Sequence, residues 1–220
     1  MRTITWLLLV PLIPALAACG GGGGSGDGGS ASGRLAAGPQ HPCDAFTVAD
    51  VASHFAIEQD AITVDRGEPG ANVICTYEWA KPDAEEIEKR NEAIYMEGVM
   101  SGKSLEATAL YERTANELSI TFNHSGFGSS AEAVQGLDTM VERLREGMTA
   151  SAGGQDQTFS SEFVPATGIG DKAVWSGSMR QVSAVSGTQL YHVRQFANKD
   201  PSDDRPGAEE IARKIAELVR

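Results

Sequence analysis

Basic residues and long apolar runs are both scarce in this 220-residue chain, and each scarcity argues against a class of protein. Only 18 side chains are basic against 30 acidic ones, which gives a formal net charge of −12. A nucleic-acid binder that relies on phosphate contacts is normally basic, so no nucleic-acid partner is expected. No apolar run reaches the length of about eighteen residues that a transmembrane helix needs. Since 41% of the residues are hydrophobic, wholesale disorder is also excluded.

The common catalytic and metal-binding patterns are missing as well. There is no Gly-x-Ser-x-Gly and no Cys-x-x-Cys, and no two of the four histidines lie within five residues of each other. Gly-x-Gly-x-x-Ala occurs at residues 126–131 and 168–173, but the second copy leads into a predicted strand. We interpret the first copy as a turn with a helix N-cap at Ser129 or Ser130, because no acidic residue ends a second parallel strand. No catalytic, cofactor-binding or metal-binding residue is predicted, and no cofactor.

The N-terminus has the pattern of a secretory signal peptide. Arg2 is the only charged residue before Asp27, and an unbroken apolar stretch runs from Trp6 to Ala18. One positive charge, a short apolar region and small residues at its end are typical of such a peptide, which we place at residues 1–18. Prolines at positions 11 and 14 argue against a helix that stays in the bilayer.

The end of this segment, Leu16-Ala17-Ala18-Cys19, resembles the lipobox of bacterial lipoproteins. The resemblance implies that the Cys19 thiol receives a diacylglyceryl group, that cleavage occurs before Cys19, and that the freed amine can take a further chain such as palmitate. In a cell with two membranes, Gly20 after the cysteine implies sorting to the periplasmic face of the outer membrane. The alternative is ordinary cleavage that leaves a free cysteine.

Residues 19–40 are expected to form the lipidated cysteine and a flexible tether, because ten of the 25 glycines lie between Gly20 and Gly38. With Cys19 lipidated, two cysteines remain. Export places them where disulfides persist, so we predict a bond between Cys43 and Cys75.

Residues 41–220 are predicted to form a single α+β extracytoplasmic domain with a mostly antiparallel sheet and amphipathic helices on one face. Helices are predicted at residues 48–55, 83–100, 105–117, 129–146 and 208–220, and strands at 61–65, 73–79, 118–122, 172–175, 182–186 and 189–196. Residues 151–156 and 198–207 are expected to be loops. A strand, a connection and a helix occur twice, which suggests two pseudo-repeated halves.

Three segments of this part resemble a group of bacterial envelope lipoproteins whose function is largely uncharacterised. They are the Cys-Asp opening at residues 43–51, the Cys-Thr-Tyr-Glu-Trp segment at 75–79 and the Gly-Ile-Gly-Asp-Lys-Ala-Val-Trp segment at 168–175. The resemblance implies a cell-envelope location and no particular activity.

The preferred function is therefore a lipid-anchored, non-enzymatic envelope protein that binds or scaffolds an envelope macromolecule. Its membrane contact is the lipid anchor at Cys19. The alternatives are an envelope hydrolase that acts on wall or lipid material and an accessory or sensor subunit of a membrane complex. A concave pocket with two convergent carboxylates would favour the enzyme, and an exposed apolar patch would favour the binding protein.

Overall fold

The computed structural model describes residue 39 and residues 41–102, 111–123, 126–152 and 155–220. The predicted signal peptide, Cys19, nearly all of the tether and His124 lie outside the described residues.

The helices are α1 (Pro42–Ala45), α2 (Val48–Phe55), α3 (Ala84–Ser101), α4 (Ser130–Glu146) and α5 (Pro201–Leu218), with a short 3-10 turn at Gln59–Ala61. The strands are β1 (Thr63–Gly67), β2 (Asn72–Ala80), β3 (Ala115–Asn123), β4 (Met148–Ala152), β5 (Gln155–Phe159), β6 (Val164–Pro165), β7 (Lys172–Ser176), β8 (Gln181–Ser186) and β9 (Gln189–Phe196).

Seven of these strands form one antiparallel sheet in the order β1-β2-β3-β9-β8-β7-β6, and β4 pairs with β5 in a separate hairpin. The predicted α+β class with an antiparallel sheet and packed helices is confirmed. Three antiparallel strands and a following helix occur twice, as β1-β2-β3-α4, with α3 inserted between β2 and β3, and as β7-β8-β9-α5. The last strand of each half pairs with the other at the centre, where Ile120 lies opposite Val193.

The helices cover both faces of the sheet, so the expectation of helices on one face is wrong. Along β8, Val182 packs in a cluster with the apolar residues of α5, whereas Val185 packs with those of α4. Side chains an odd number of positions apart point to opposite faces of a strand, so these two helices lie on opposite sides. The same alternation separates Tyr191 from Leu190 on β9.

The larger core lies on the α5 side of the sheet and holds most of the fully buried side chains. It combines the inward residues of β2, β3, β8 and β9 with α1, α2 and the apolar face of α5. Tyr191 donates a hydrogen bond through its hydroxyl to the carbonyl oxygen of Ala212 at 2.8 Å, which fixes α5 against β9. The helix is therefore held by a polar contact as well as by burial of its apolar stripe.

The first turn of α5 corrects the prediction of a loop at residues 198–207. The helix begins at Pro201, because the Asp200 carboxylate accepts a hydrogen bond from the backbone N–H of Ser202 and proline fits the first helical position. Pro206 is the sixth residue of the helix and has no N–H to donate to the carbonyl oxygen of Ser202, yet the helix continues beyond it to Leu218.

Two other sequence predictions are wrong in part. The sequence pattern predicts a helix over residues 115–117, but β3 begins at Ala115, where pairing with Ala80 of β2 extends the ladder. Residues 103–110 of that predicted helix lie outside the described residues. The loop expected at residues 151–156 contains the facing ends of β4 and β5.

Candidate functional site

Cys43 of α1 and Cys75 of β2 are joined by a disulfide, with their Cα atoms 5.2 Å apart. Cys75 is fully buried, so the bond fixes the start of the folded part to the centre of the larger core. The Tyr77 hydroxyl donates to the carbonyl oxygen of Phe46 beside it. The predicted pairing therefore agrees with the structure, and its position is that of a structural bond in a packed core.

The start of α4 does not form the phosphate site that Gly-x-Gly-x-x-Ala can provide. Ser129 is the N-cap, and its hydroxyl accepts a hydrogen bond from the backbone N–H of Glu132 at 3.2 Å. The Glu132 carboxylate in turn accepts one from the backbone N–H of Gly128 at 2.8 Å. The donors that would hold an anion are thus bound by the helix's own side chains, which confirms the interpretation as a capped turn.

The Gly-Ile-Gly-Asp segment before β7 is a tight structural turn. Gly168 and Gly170 both have positive φ angles, of 72° and 54°. A Cβ atom on Gly170 would collide with the carbonyl oxygen of Val185, so only glycine fits this close approach.

Asp171 ties that turn to two other elements. One of its carboxylate oxygens accepts hydrogen bonds from the Ser130 hydroxyl and from the backbone N–H of Gly187, each at 2.8 Å. Ser130 opens α4 and Gly187 lies in the turn between β8 and β9. The motif is therefore accounted for by packing.

A serine and a histidine lie side by side on the α4 face of the sheet. The Ser183 Oγ is 2.9 Å from Nδ1 of His192, and the side-chain amide of Gln181 contacts both. Ser183 is only 1% exposed, so a substrate has no access to its hydroxyl. Burial lowers the pKa of His192 to about 4. Because Ser183 and His192 are also partners across β8 and β9, the contact is best explained as a cross-strand tie.

A charged cluster lies where the start of β3 pairs with the end of β9. The nearly buried Glu117 accepts one hydrogen bond from Arg113 at 2.6 Å and one from Arg194 at 2.8 Å. Both guanidinium groups, together with that of Arg180, lie within 4.7–5.3 Å of the Phe196 ring centre. The cluster has no local sequence signature, since its members are far apart along the chain. The arrangement joins β3 to β9 through ion pairs and cation–π contacts.

A groove of about 580 Å³ runs along α4 beside Phe127. Its lining comprises Phe127, Glu132, Gln135, Gly136, Thr139, Met140, Arg143 and Leu144. Glu132 is the one carboxylate among these described residues, and it is bound to Gly128 as stated above. The groove therefore lacks the convergent carboxylate pair that an acid–base hydrolase needs.

The remaining candidate surface is on α3, where helical spacing predicts an apolar side made of Ile87, Ile94 and Tyr95. Ile87 is indeed buried, but Tyr95 is 47% exposed. Met96 (50%), Val99 (47%) and Met100 (79%) are exposed beside it. These four residues are the majority of the exposed large hydrophobic side chains in the part of the chain that the structure describes. In the sequence, the i, i+1, i+4, i+5 spacing of Tyr95, Met96, Val99 and Met100 indicates an apolar strip on one side of a helix.

No helix within the described ranges is both long enough and apolar enough to cross a membrane. Over the same ranges, histidine, cysteine, aspartate and glutamate side chains form no cluster of three that could ligate a metal ion. The acidic residues near position 200 have other roles, since Asp200 caps α5 and Asp204 binds Arg180.

Comparison of the chain with models of known families, with curated proteins and with solved structures gives no match.

Proposed function

We propose that this chain is a bacterial envelope lipoprotein, held on a membrane by acyl chains on Cys19, whose folded part binds another macromolecule outside the cytoplasm. The observation that carries the proposal is the Leu16-Ala17-Ala18-Cys19 sequence at the end of the apolar segment Trp6 to Ala18. The bond between Cys43 and Cys75 supports it, because disulfides persist in oxidising compartments outside the cytoplasm.

Acyl-chain energetics explain why one modified cysteine suffices as an anchor. Each buried methylene contributes about 0.8 kcal/mol, so a single chain holds a protein only marginally while two or three hold it durably. The predicted tether then gives the folded part a root-mean-square reach of about 25 Å.

The charge of the mature chain favours a domain that stands away from the lipid surface. Removal of residues 1–18 takes away Arg2 alone, leaving 17 basic and 30 acidic side chains, a net charge of −13. Anionic headgroups repel such a domain. A macromolecular partner is therefore more consistent with the charge than direct contact with the membrane.

The exposed apolar side chains of α3 support the binding role. Isolated exposed apolar residues are ordinary, whereas several on one helix face are typical of an interaction surface. Methionine is common on such surfaces because its flexible side chain adapts to the partner.

The anchor is tested by metabolic labelling with radioactive palmitate in the producing bacterium, followed by membrane fractionation. The wild-type chain should be labelled and retained on membranes, and Cys19→Ala should give an unlabelled, uncleaved or released species. Ala18→Gly is the matched control, since it keeps a lipobox and should behave as the wild type. Equal labelling of Cys19→Ala would contradict the anchor.

The binding role is tested separately, by lysine-directed cross-linking of the anchored protein in intact cells. We expect a defined heteromeric adduct that survives stringent washing. It should be absent from a strain that lacks this chain. Turnover of an envelope substrate, abolished by a single substitution in the folded part, would contradict a purely binding role.

A further inference from the structure

The helix α3 carries a two-part face that nothing in the described structure covers. At about 100° per residue, Tyr95, Met96, Val99 and Met100 occupy about 140° of the helix circumference. The two buried residues of this helix, Ile87 and Gly98, lie within about 20° of each other and outside that arc. The side of α3 that faces the rest of the fold is therefore a different one.

Within this arc, the N-terminal half of the helix is acidic. Glu85, Glu88 and Glu92 fall within it by the same helical geometry and are all exposed. They make no ion pair with any residue of the described ranges, whereas Asp138, Glu117, Glu209 and Glu210 each bind a basic side chain. Lys89 lies at the edge of the arc, so the net charge of this half is −2.

One face of α3 thus has unpaired carboxylates along its first half and apolar side chains along its second. We call it the α3 face, made of Glu85, Glu88, Glu92, Tyr95, Met96, Val99 and Met100. From Glu85 to Met100 it extends about 22 Å along the helix axis. Such a length matches four turns of a partner helix, which can pack alongside through residues spaced three and four apart.

We propose that the α3 face is the docking surface for an amphipathic helix of another envelope protein, with basic residues at one end and apolar residues at the other. The proposal rests on the binding role proposed above and names the surface and the chemistry of the partner. Basic side chains would lie against Glu88 and Glu92, and the apolar end would cover Met96 and Met100. Charge complementarity then sets the orientation of the partner, because the reversed helix places its basic end on the apolar half.

A second copy of this chain is a poor occupant of the face. In a parallel pair of α3 helices the two acidic halves would lie together. In an antiparallel pair, each acidic half would meet the partner's apolar half and lose water without gaining an opposite charge. Two molecules of net charge −13 would also repel each other. Anionic lipid is disfavoured for the same reason, since three carboxylates lie beside the apolar side chains.

Site-specific photo-cross-linking of the anchored, full-length protein in the producing bacterium tests the proposal. A photoreactive amino acid replaces Met96 in one strain and Leu218, an equally exposed apolar residue of α5, in the control strain. We expect an adduct from position 96 and none from position 218. Mass spectrometry should place the link in a segment of another protein that is net positive and has apolar residues three or four apart.

Charge variants separate an effect of the α3 face from one of overall charge. Glu88→Gln with Glu92→Gln should lower the yield of the position 96 adduct by at least about fivefold. Glu97→Gln changes the charge of the same helix outside the arc and should leave the yield unchanged. Circular dichroism of each variant should be that of the wild type, because all three residues are exposed.

Several outcomes would overturn the proposal: an adduct with a second copy or with lipid, a link to an acidic or neutral segment, equal yields from positions 96 and 218, or an equal effect of Glu97→Gln. An absent adduct at position 96 beside a defined adduct from lysine-directed cross-linking would overturn the α3 face and leave the proposed function standing. No adduct by either method would contradict both.

Discussion

The carboxylate of Asp204 and the guanidinium of Arg180 are joined at 2.8 Å, where the first turn of α5 meets the turn that links β7 to β8. Asp204 is fully buried. Its other oxygen accepts hydrogen bonds from the backbone N–H groups of Ala197 and Asn198, at 3.1 and 2.9 Å. One carboxylate therefore fixes the end of β9, the start of α5 and the guanidinium beside Phe196.

Removal of the Asp204 carboxylate should be strongly destabilising. Asp204→Ala removes the carboxylate that pairs with Arg180 and the acceptor of the Ala197 and Asn198 N–H groups. Breaking a buried pair in this way costs about 3–5 kcal/mol. Urea unfolding followed by circular dichroism measures the loss. Asp203→Ala is the matched control, because its exposed side chain contributes only about 0.3–1 kcal/mol through the helix dipole. Similar losses in both variants would show that the buried contacts contribute little.

The two glycines before β7 should respond differently to substitution. Gly168→Ala places a Cβ in open space and has only the cost of the left-handed backbone conformation, about 1–2 kcal/mol. Gly170→Ala has the same backbone cost and also drives its Cβ into the Val185 carbonyl oxygen. Gly170→Ala should therefore lower the midpoint of thermal unfolding well below that of Gly168→Ala. Equal midpoints would contradict the close approach.

Stability should fall in mild acid because of His192. Burial lowers its pKa from the usual 6.5 to about 4, so the unfolded chain takes up a proton at a higher pH than the folded one. The stability from a neutral His192 is complete above pH 6.5 and is lost as the pH falls towards 4. At pH 5 this linkage amounts to about 2 kcal/mol.

Comparison with His192→Asn isolates that contribution from those of the carboxylates. Asparagine keeps a polar atom near Ser183 and does not titrate. Urea unfolding at pH 7 and at pH 5 should show a larger loss for the wild type than for the variant. The same loss in both proteins would rule out His192 as the cause.

Loss of the disulfide should destabilise the fold by increasing the conformational entropy of the unfolded chain. Cys43 and Cys75 are separated by 32 residues, for which the chain-entropy relation gives about 3–4 kcal/mol. The double variant Cys43→Ala with Cys75→Ala should show this decrease in the free energy of unfolding. Cys19→Ala also removes a cysteine, but one outside the predicted domain, and should leave that free energy unchanged.

Residues 41–220 should unfold in a single transition. The two halves meet where β3 pairs with β9, and the larger core takes side chains from both. Neither half keeps its buried face covered without the other. Differential scanning calorimetry should therefore give equal calorimetric and van't Hoff enthalpies, whereas two resolved transitions would show independent halves.

Local patterns determined much of the secondary structure. At the start of α2, Thr47 and Asp50 form a capping box with both of its hydrogen bonds, a pattern that can be read from a few neighbouring residues. Gly187 marked the turn between β8 and β9, where its φ angle is 57°. Such features depend only on neighbours within a few residues, so the sequence alone is enough to predict them. Pro206 is an exception, because α5 continues through a proline that local rules assign to a loop.

The sequence by itself also determined the pairing of Cys43 with Cys75 and the expectation of an anchor at Cys19, because both depend on residue identity and order. Only the tertiary structure decided which face each helix covers, since a strand buried on both sides shows no alternation. It also brought Arg113, Arg180 and Arg194 around Phe196, and it left one face of α3 exposed. The coverage of the helices and the arginine cluster depend on contacts between residues distant along the chain, which no local spacing shows. On α3 the local spacing indicated an apolar strip, and only the tertiary structure showed that it stays exposed.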